Sequence, residues 1–291
     1  MNTASFNKER SKAILLLAAT AVLWSLGGLL IKLVDAVPLA ISGVRSTIAF
    51  IILLAVIRKP KLNWSVAQLG AALAYTATTM LFVTATKTTT AANAILLQFT
   101  APVYVAILGT WFLKEKARLI DWVTIFIVIG GMGLFFLDSL STKGFWGNIC
   151  GAASGISFAF FTVFMRMQKD GSPMESVLLG NLFTAIIGLP FLSQSVPSPS
   201  GWIYLVILGV VQLGIPYVLY SIAIKNATAL EAILVPVLEP ILNPVWVLLA
   251  IGEVPSTLTL LGGAVVLMTV TLRCVYTIIP INMVLKNKIE K

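Results

Sequence analysis

Residues 223–253, AIKNATALEAILVPVLEPILNPVWVLLAIGE, decide the fold, because the chain already carries a copy of them. Residues 85–115, ATKTTTAANAILLQFTAPVYVAILGTWFLKE, align with them at a constant offset of 138 and need no gap. Lys87 falls on Lys225, Asn93 on Glu231, Ala94-Ile95-Leu96 on Ala232-Ile233-Leu234, Pro102 on Pro240 and Glu115 on Glu253. An apolar background supplies single matches by chance, but not an ordered Lys, Pro and Glu around an identical tripeptide. The chain is a duplication of two halves.

Composition fixes the solvent. Hydrophobic residues make up 58% and charged residues 11%, against roughly 25% charged in a soluble domain. The protein is read as an all-α polytopic membrane protein. Its net charge of +9 would suggest nucleic acid in a soluble chain. No basic stretch interleaved with aromatics lies outside the apolar spans, so nucleic-acid binding is excluded. The absence of histidine removes the commonest metal ligand and general base, leaving proton chemistry to carboxylates. Cys150 and Cys274 show no ligand spacing and read as small buried hydrophobes. Neither a metal nor a cofactor is expected. No GxxxxGK[ST] motif occurs, so direct drive by ATP would need a partner. The basic KERSK followed by an apolar run from Ala13 resembles a signal peptide. That run continues to Leu33 without a small-residue cleavage site and is read as a first membrane helix.

Polar punctuation marks off ten spans, five per half. The first five are Ala13–Leu33, Pro38–Ile57, Ser65–Thr86, Ala91–Leu113 and Ile120–Leu137. The second five are Gly144–Met165, Glu175–Leu192, Gly201–Ile224, Thr228–Ile251 and Ser256–Ile279. The repeats are therefore expected at 13–138 and 144–279, followed by a basic cytoplasmic tail at 280–291. Sixteen of the 20 Lys and Arg collect on one side of this arrangement, which predicts that side and both termini to be cytoplasmic. Because five is odd, the second half enters the membrane from the face opposite the first, and the repeats are inverted. Such repeats suit alternating access, since exchanging their two conformations turns an outward-open cavity inward. Duplication without any rocking motion is the competing reading.

Glu239, near the middle of the ninth span, is the sharpest candidate. A carboxylate at that depth costs about 2.5–3.5 kcal/mol, so it must face the protein interior or water. At 100° per residue it shares a face with Asn243 and Trp246. Pro236, Pro240 and Pro244 free carbonyls and predict a bent or opened helix beside it. A neutral acid hydrogen-bonded across the helix packing is the alternative. In the fourth span Asn93, Leu97, Thr100 and Tyr104 share a stripe from which Gln98 points away, with Pro102 as the kink. Tyr75, Thr78, Thr79 and Phe82 of the third span map onto Leu213, Pro216, Tyr217 and Tyr220 of the eighth. These groups suit a cavity lining or interhelical packing equally. Trp24 and Ser25 lie midway along the first span, with Phe158 and Ala159 as counterparts at an offset of 134. A mid-membrane aromatic stacks on an organic substrate or fills the core. Arg45, inside the second span, binds an anion, pairs with a carboxylate or snorkels outward.

The duplicated AANAILLQFTAPVYVAILGTWFLKE and ALEAILVPVLEPILNPVWVLLAIGE segments, the P-x6-R of Pro38 and Arg45, and the VLWSLGG of the opening helix resemble the drug/metabolite transporter superfamily. The resemblance is to its ten-helix proteins with two EamA-type domains and runs from Ala13 to Leu272. It implies a transporter of small organic metabolites, often an exporter of amino acids or related compounds. The cavity it implies lies between the first, third, fourth, sixth, eighth and ninth helices, placing Trp24, Tyr75, Thr79, Asn93, Phe158, Tyr217 and Glu239 near substrate. Glu239 matches Ala101, so the acid belongs to one half only. The expected function is secondary active export across the cell membrane by alternating access, with a small-molecule substrate and Glu239 as the candidate site of proton coupling. A lipid scramblase or a non-transporting membrane interaction protein is the alternative. A membrane enzyme is set aside, for no cluster of catalytic acids is present.

Overall fold

The computed structural model describes residues 3–137, 144–242, 246 and 256–278, and every regular element among them is helical. The first span consists of α1 (Thr3–Trp24) and α2 (Gly27–Leu33). The second and third are α3 (Pro38–Ile57) and α4 (Val66–Thr88). The fourth joins α5 (Ala91–Gln98), α6 (Ala101–Leu108) and a π-helical turn Gly109–Leu113, and α7 (Leu119–Phe136) is the fifth. In the second repeat, α8 (Phe145–Met167) is followed by α9 (Pro173–Gly188), which tightens into a 3₁₀ turn Leu189–Gln194. The eighth span comprises α10 (Pro199–Ile207), a π-helical stretch Leu208–Gly214 and α11 (Ile215–Ala223). The ninth opens with α12 (Ala229–Leu234) and a 3₁₀ turn Val235–Val237, and α13 (Thr257–Ile278) is the tenth. Seven of these spans are long and apolar enough to cross a membrane, and α7 and α13 supply shorter apolar helices.

The starts and breaks follow from local chemistry. Thr90 caps α5 by accepting from the Asn93 backbone N–H, and Thr228 caps α12 by accepting from that of Glu231. The two caps are 138 residues apart, so the duplication extends to hydrogen bonding. Proline cannot donate to the carbonyl four residues before it, and its ring crowds that carbonyl. Pro102 thereby ends α5 at Gln98, and Pro216 widens the turns around Gln212 into the π-helical stretch. The first span also breaks, at Ser25 and Leu26, where continuous helix was expected. Its helix starts ten residues before Ala13, at Thr3.

The packing has two-fold character. The first span lies against α11 and its counterpart α8 lies against α4, while α3 meets α9 and α7 meets α13. Each repeat's first span thus packs on the other repeat's third. The backbones come close where the matched spans cross. A methyl group on Gly43 would stand 2.5 Å from the Gly188 carbonyl carbon, and one on Gly262 would stand 2.6 Å from the Gly131 oxygen. Without lipid-facing hydrophobic drive, such close contact is what holds membrane helices together. Apolar side chains turned outward, among them Leu73, Phe126, Ile186, Ile203 and Leu260, are more than half exposed and cover the lipid-facing surface. Exposed Trp64 and Trp111 mark the end with the basic loops, and Trp146 the opposite end, as anchors at the two membrane interfaces do.

Candidate substrate cleft

The breaks in the helices converge on one narrow cleft bounded by both repeats, about 400 Å³ counting all space between atoms together with the open solvent at its mouth. From the first repeat come Trp24 at the end of α1, Arg45 of α3, Thr78, Thr79 and Phe82 of α4, and Gln98 at the end of α5. From the second come Phe158 of α8, Gln212 and Leu213 of the π-helical stretch, Tyr217 of α11, and Glu239 beyond the 3₁₀ turn.

Aromatic rings make one wall. Trp24 sits 5.1 Å from Tyr217 and 5.9 Å from Phe158, centroid to centroid, and Tyr75 meets Tyr217 edge-on at 4.8 Å. Phe161 and Tyr220 stack behind them at 5.8 Å. Tilted and edge-on pairs of this kind rigidify a wall beyond the area they bury.

Polar groups make the rest. Gln98 donates from Nε2 to Ser154 Oγ at 2.9 Å, and Ser154 donates to the Thr78 carbonyl at 3.2 Å, which ties α5, α8 and α4 together at the cleft. Thr78 and Thr79 donate to the carbonyls of Ala74 and Tyr75, leaving their hydroxyl oxygens free to accept. Arg45 is 2% exposed. Its Nη1 donates to Gln212 Oε1 at 3.1 Å and its Nε has no partner. Glu239 is 9% exposed and makes no hydrogen bond or ion pair with any described residue. A buried cation and a buried acid therefore share one cleft, neither with an ionic partner among the described residues. Among the described residues no three Cys, Asp or Glu side chains come together as a metal site.

Of the residues singled out from the sequence, Trp24, Arg45, Thr79, Phe158, Tyr217 and Glu239 meet at the cleft. Tyr75 stands one layer behind, its hydroxyl donating to Asn181 Oδ1 at 2.9 Å. Asn93 lies elsewhere: its Nδ2 donates to Asn148 Oδ1 of α8 at 2.9 Å, beside Thr89. Leu97 of the same stripe packs on Gly151, so that face of α5 is turned to α8. Gln98, placed on the far face by helical spacing, is the cleft residue instead. Asn243 lies outside the described residues. The second span joins the lining through Arg45, which the resemblance did not include. Gln212 was missed outright, yet a signal for it exists. Both cleft glutamines stand four residues before a mid-span proline, Gln98 before Pro102 and Gln212 before Pro216, where the helix opens.

Comparison with known proteins agrees with this architecture. The profile of the EamA-like transporter family matches residues 11–137 and 145–273. An uncharacterized transporter of Archaeoglobus fulgidus is 26% identical over 187 residues, 64% of this chain and 68% of that protein. The uncharacterized transporter YdfC of Bacillus subtilis is 29% identical over 186 residues, 62% of this chain and 61% of that protein. A protein of known crystal structure, 18% identical, superposes with a TM-score of 0.72 over 89% of this chain and 96% of its own length, and shares the fold. With both halves matched, the chain is a multi-pass membrane protein that belongs to the EamA-like transporter family.

Proposed function

We propose that the protein is a secondary active transporter that exports a small organic metabolite, an amino acid or related compound, by alternating access of its two repeats. One observation carries this reading: a cleft bounded by both repeats holds Arg45 and Glu239, neither with an ionic partner among the described residues. Burying opposite charges unpaired is costly. A cargo bearing an anionic group offsets that cost at Arg45 while bound, protonation offsets it at Glu239, and the aromatic wall of Trp24, Phe158 and Tyr217 takes the organic part of the cargo.

The basic loops orient the proposal. Both termini are cytoplasmic, and the cytoplasmic end is closed by ion pairs: Arg10 with Glu231 at 2.5 Å, Arg166 with Glu115 at 2.9 Å and Arg273 with Asp121 at 2.5 Å. Glu239 is the coupling group. When cargo is absent the acid takes a proton, and when cargo or water reaches it the proton is released, so proton and cargo movement are linked.

Proteoliposomes test the proposal with a panel of radiolabelled amino acids. Wild-type protein is expected to drive uptake under an imposed pH gradient and to exchange internal for external solute without one. Glu239→Gln, which is neutral at every pH, is expected to lose the gradient-driven flux and keep exchange. Unchanged gradient-driven flux in that variant rejects Glu239 as the coupling group. Lipid flux with no solute flux rejects the transport reading itself.

A further inference from the structure

Two buried hydrogen-bond donors on residues of the cleft lack an acceptor among the described residues. Arg45 is a full positive charge, 2% exposed, with a single hydrogen bond and an unpartnered Nε. Trp24, 4% exposed, also lines the cleft, and its Nε1–H has no partner. An orphaned buried donor costs ~1–3 kcal/mol and a charged one more, so two in one cleft mark a place where an acceptor belongs. No carboxylate among the described residues pairs with Arg45.

The surrounding structure is built to present these donors. Gln212 Oε1 takes Nη1 of Arg45 and so fixes the guanidinium. The π-helical stretch Leu208–Gly214 places Gln212 there. Gly27 leaves room for its amide, since a methyl group at that position would come 2.8 Å from Gln212 Nε2 and displace it. Gly209, on the same stretch, lets the backbone close on α3 to 3.1 Å between its would-be methyl and the Arg45 carbonyl oxygen. The matching part of the first repeat, within α4, is regular helix. This feature belongs to one side of the pseudo-symmetric pair and is not a by-product of duplication.

We infer that Arg45 and Trp24, with Gln212 as the positioning residue, form a binding subsite for a single monovalent anion, the carboxylate of the cargo. The inference rests on reading the cleft as the substrate path. Guanidinium N–H groups suit the two oxygens of a carboxylate, and the indole N–H supplies one further donor. Chloride offers the same charge without that geometry, and the experiment distinguishes the two.

Purified full-length protein in detergent is titrated with sodium acetate, and separately with sodium chloride, while its thermal unfolding is followed. Wild-type protein is expected to show a saturable rise in Tm with acetate and little with chloride. Gln212→Glu, nearly isosteric, gives Arg45 a carboxylate of its own. Unliganded Gln212→Glu is expected to melt above wild type, which shows that it folds, and to bind acetate at least tenfold more weakly. Trp24→Phe keeps the aromatic packing and removes the donor, and a several-fold weaker response is expected. Equal acetate responses in wild type and Gln212→Glu, or no saturable response in wild type, overturn the subsite. Saturation by chloride alone overturns the carboxylate assignment. Solute flux in proteoliposomes is scored separately. Flux that persists while the acetate response is lacking sinks the subsite and leaves transport standing. An acetate response without flux does the reverse.

Discussion

Asn93 and Glu239 carry the same type of signal, a polar residue within an apolar span, and the structure gives them different surroundings, a helix contact for the one and the cleft for the other. Asn93 is satisfied by Asn148 and by the Thr89 hydroxyl, and its work is to hold α5 to α8. Asn93→Ala is expected to destabilise by about 1 kcal/mol, the usual worth of an interhelical hydrogen bond. Cargo affinity in solute binding should be unchanged. Glu239 has no such partners among the described residues, and its substitution should alter flux before stability. A further residue outside the spans has a signed pH dependence. Asp35 accepts from the Ser198 backbone N–H at 3.1 Å and from its hydroxyl at 3.0 Å, and these bonds hold its carboxyl below the usual aspartate range. A depressed native pKa stabilises fully above the ordinary value, 3.8, and the stabilisation is lost as pH falls through the native value. The advantage of wild type over Asp35→Asn in Tm is therefore expected to be constant from neutral pH down to about 4 and to shrink below it. An advantage that shrinks between pH 7 and 5 contradicts this.

At the scale of elements, the sequence foretold positions better than continuity. Spans follow from hydropathy, because lipid demands about 20 apolar residues wherever a helix crosses, and the matched threonine caps at Thr90 and Thr228 are visible as T-x-x-N and T-x-x-E. The breaks are harder. Helical spacing at 100° assumes one unbroken helix, and the stripe Asn93, Leu97, Thr100, Tyr104 runs across the interruption between Gln98 and Ala101. Its first two members face α8, and the cleft is lined from the other side of α5. Proline was read as a kink, but its effect on the residue four before it, at Gln98 and Gln212, is the informative part. Element contacts also yield a prediction about gating. Arg166 donates to Glu115 and to the carbonyls of Ile224 and Lys225, each at about 3 Å, while Glu115 accepts from the Ala229 backbone N–H at 3.1 Å. The fourth, sixth, eighth and ninth spans are thereby joined at the end with the basic loops. At the opposite end Lys32, the counterpart of Arg166, donates to the Thr89 carbonyl at 2.9 Å. Arg166→Gln should loosen the former end only. A cysteine introduced at Leu213 is then expected to react several-fold faster with an impermeant thiol reagent from that face. An unchanged rate shows that the ion pair does not close the end.

On the scale of the molecule, duplication was the most legible feature, since a constant offset of 138 survives in unaltered residues, and the exchange of partners between repeats is its three-dimensional form. Asymmetry was the least legible. Glu239 against Ala101 can be read from the alignment. Gln212 against Ala74 cannot be recognised as a cleft residue until the π-helical stretch brings it to Arg45. We propose that the symmetric frame moves and that the asymmetric lining selects. Alternating access requires the two repeats to open this cleft to the two membrane faces in turn. Thiol labelling of Leu213→Cys in a Cys150→Ser, Cys274→Ser background tests it, with an impermeant reagent applied to right-side-out and to inverted vesicles. Reaction from each face is expected, with labelling from one face preventing labelling from the other. Reaction from a single face under every condition of pH and solute, or from neither, contradicts it.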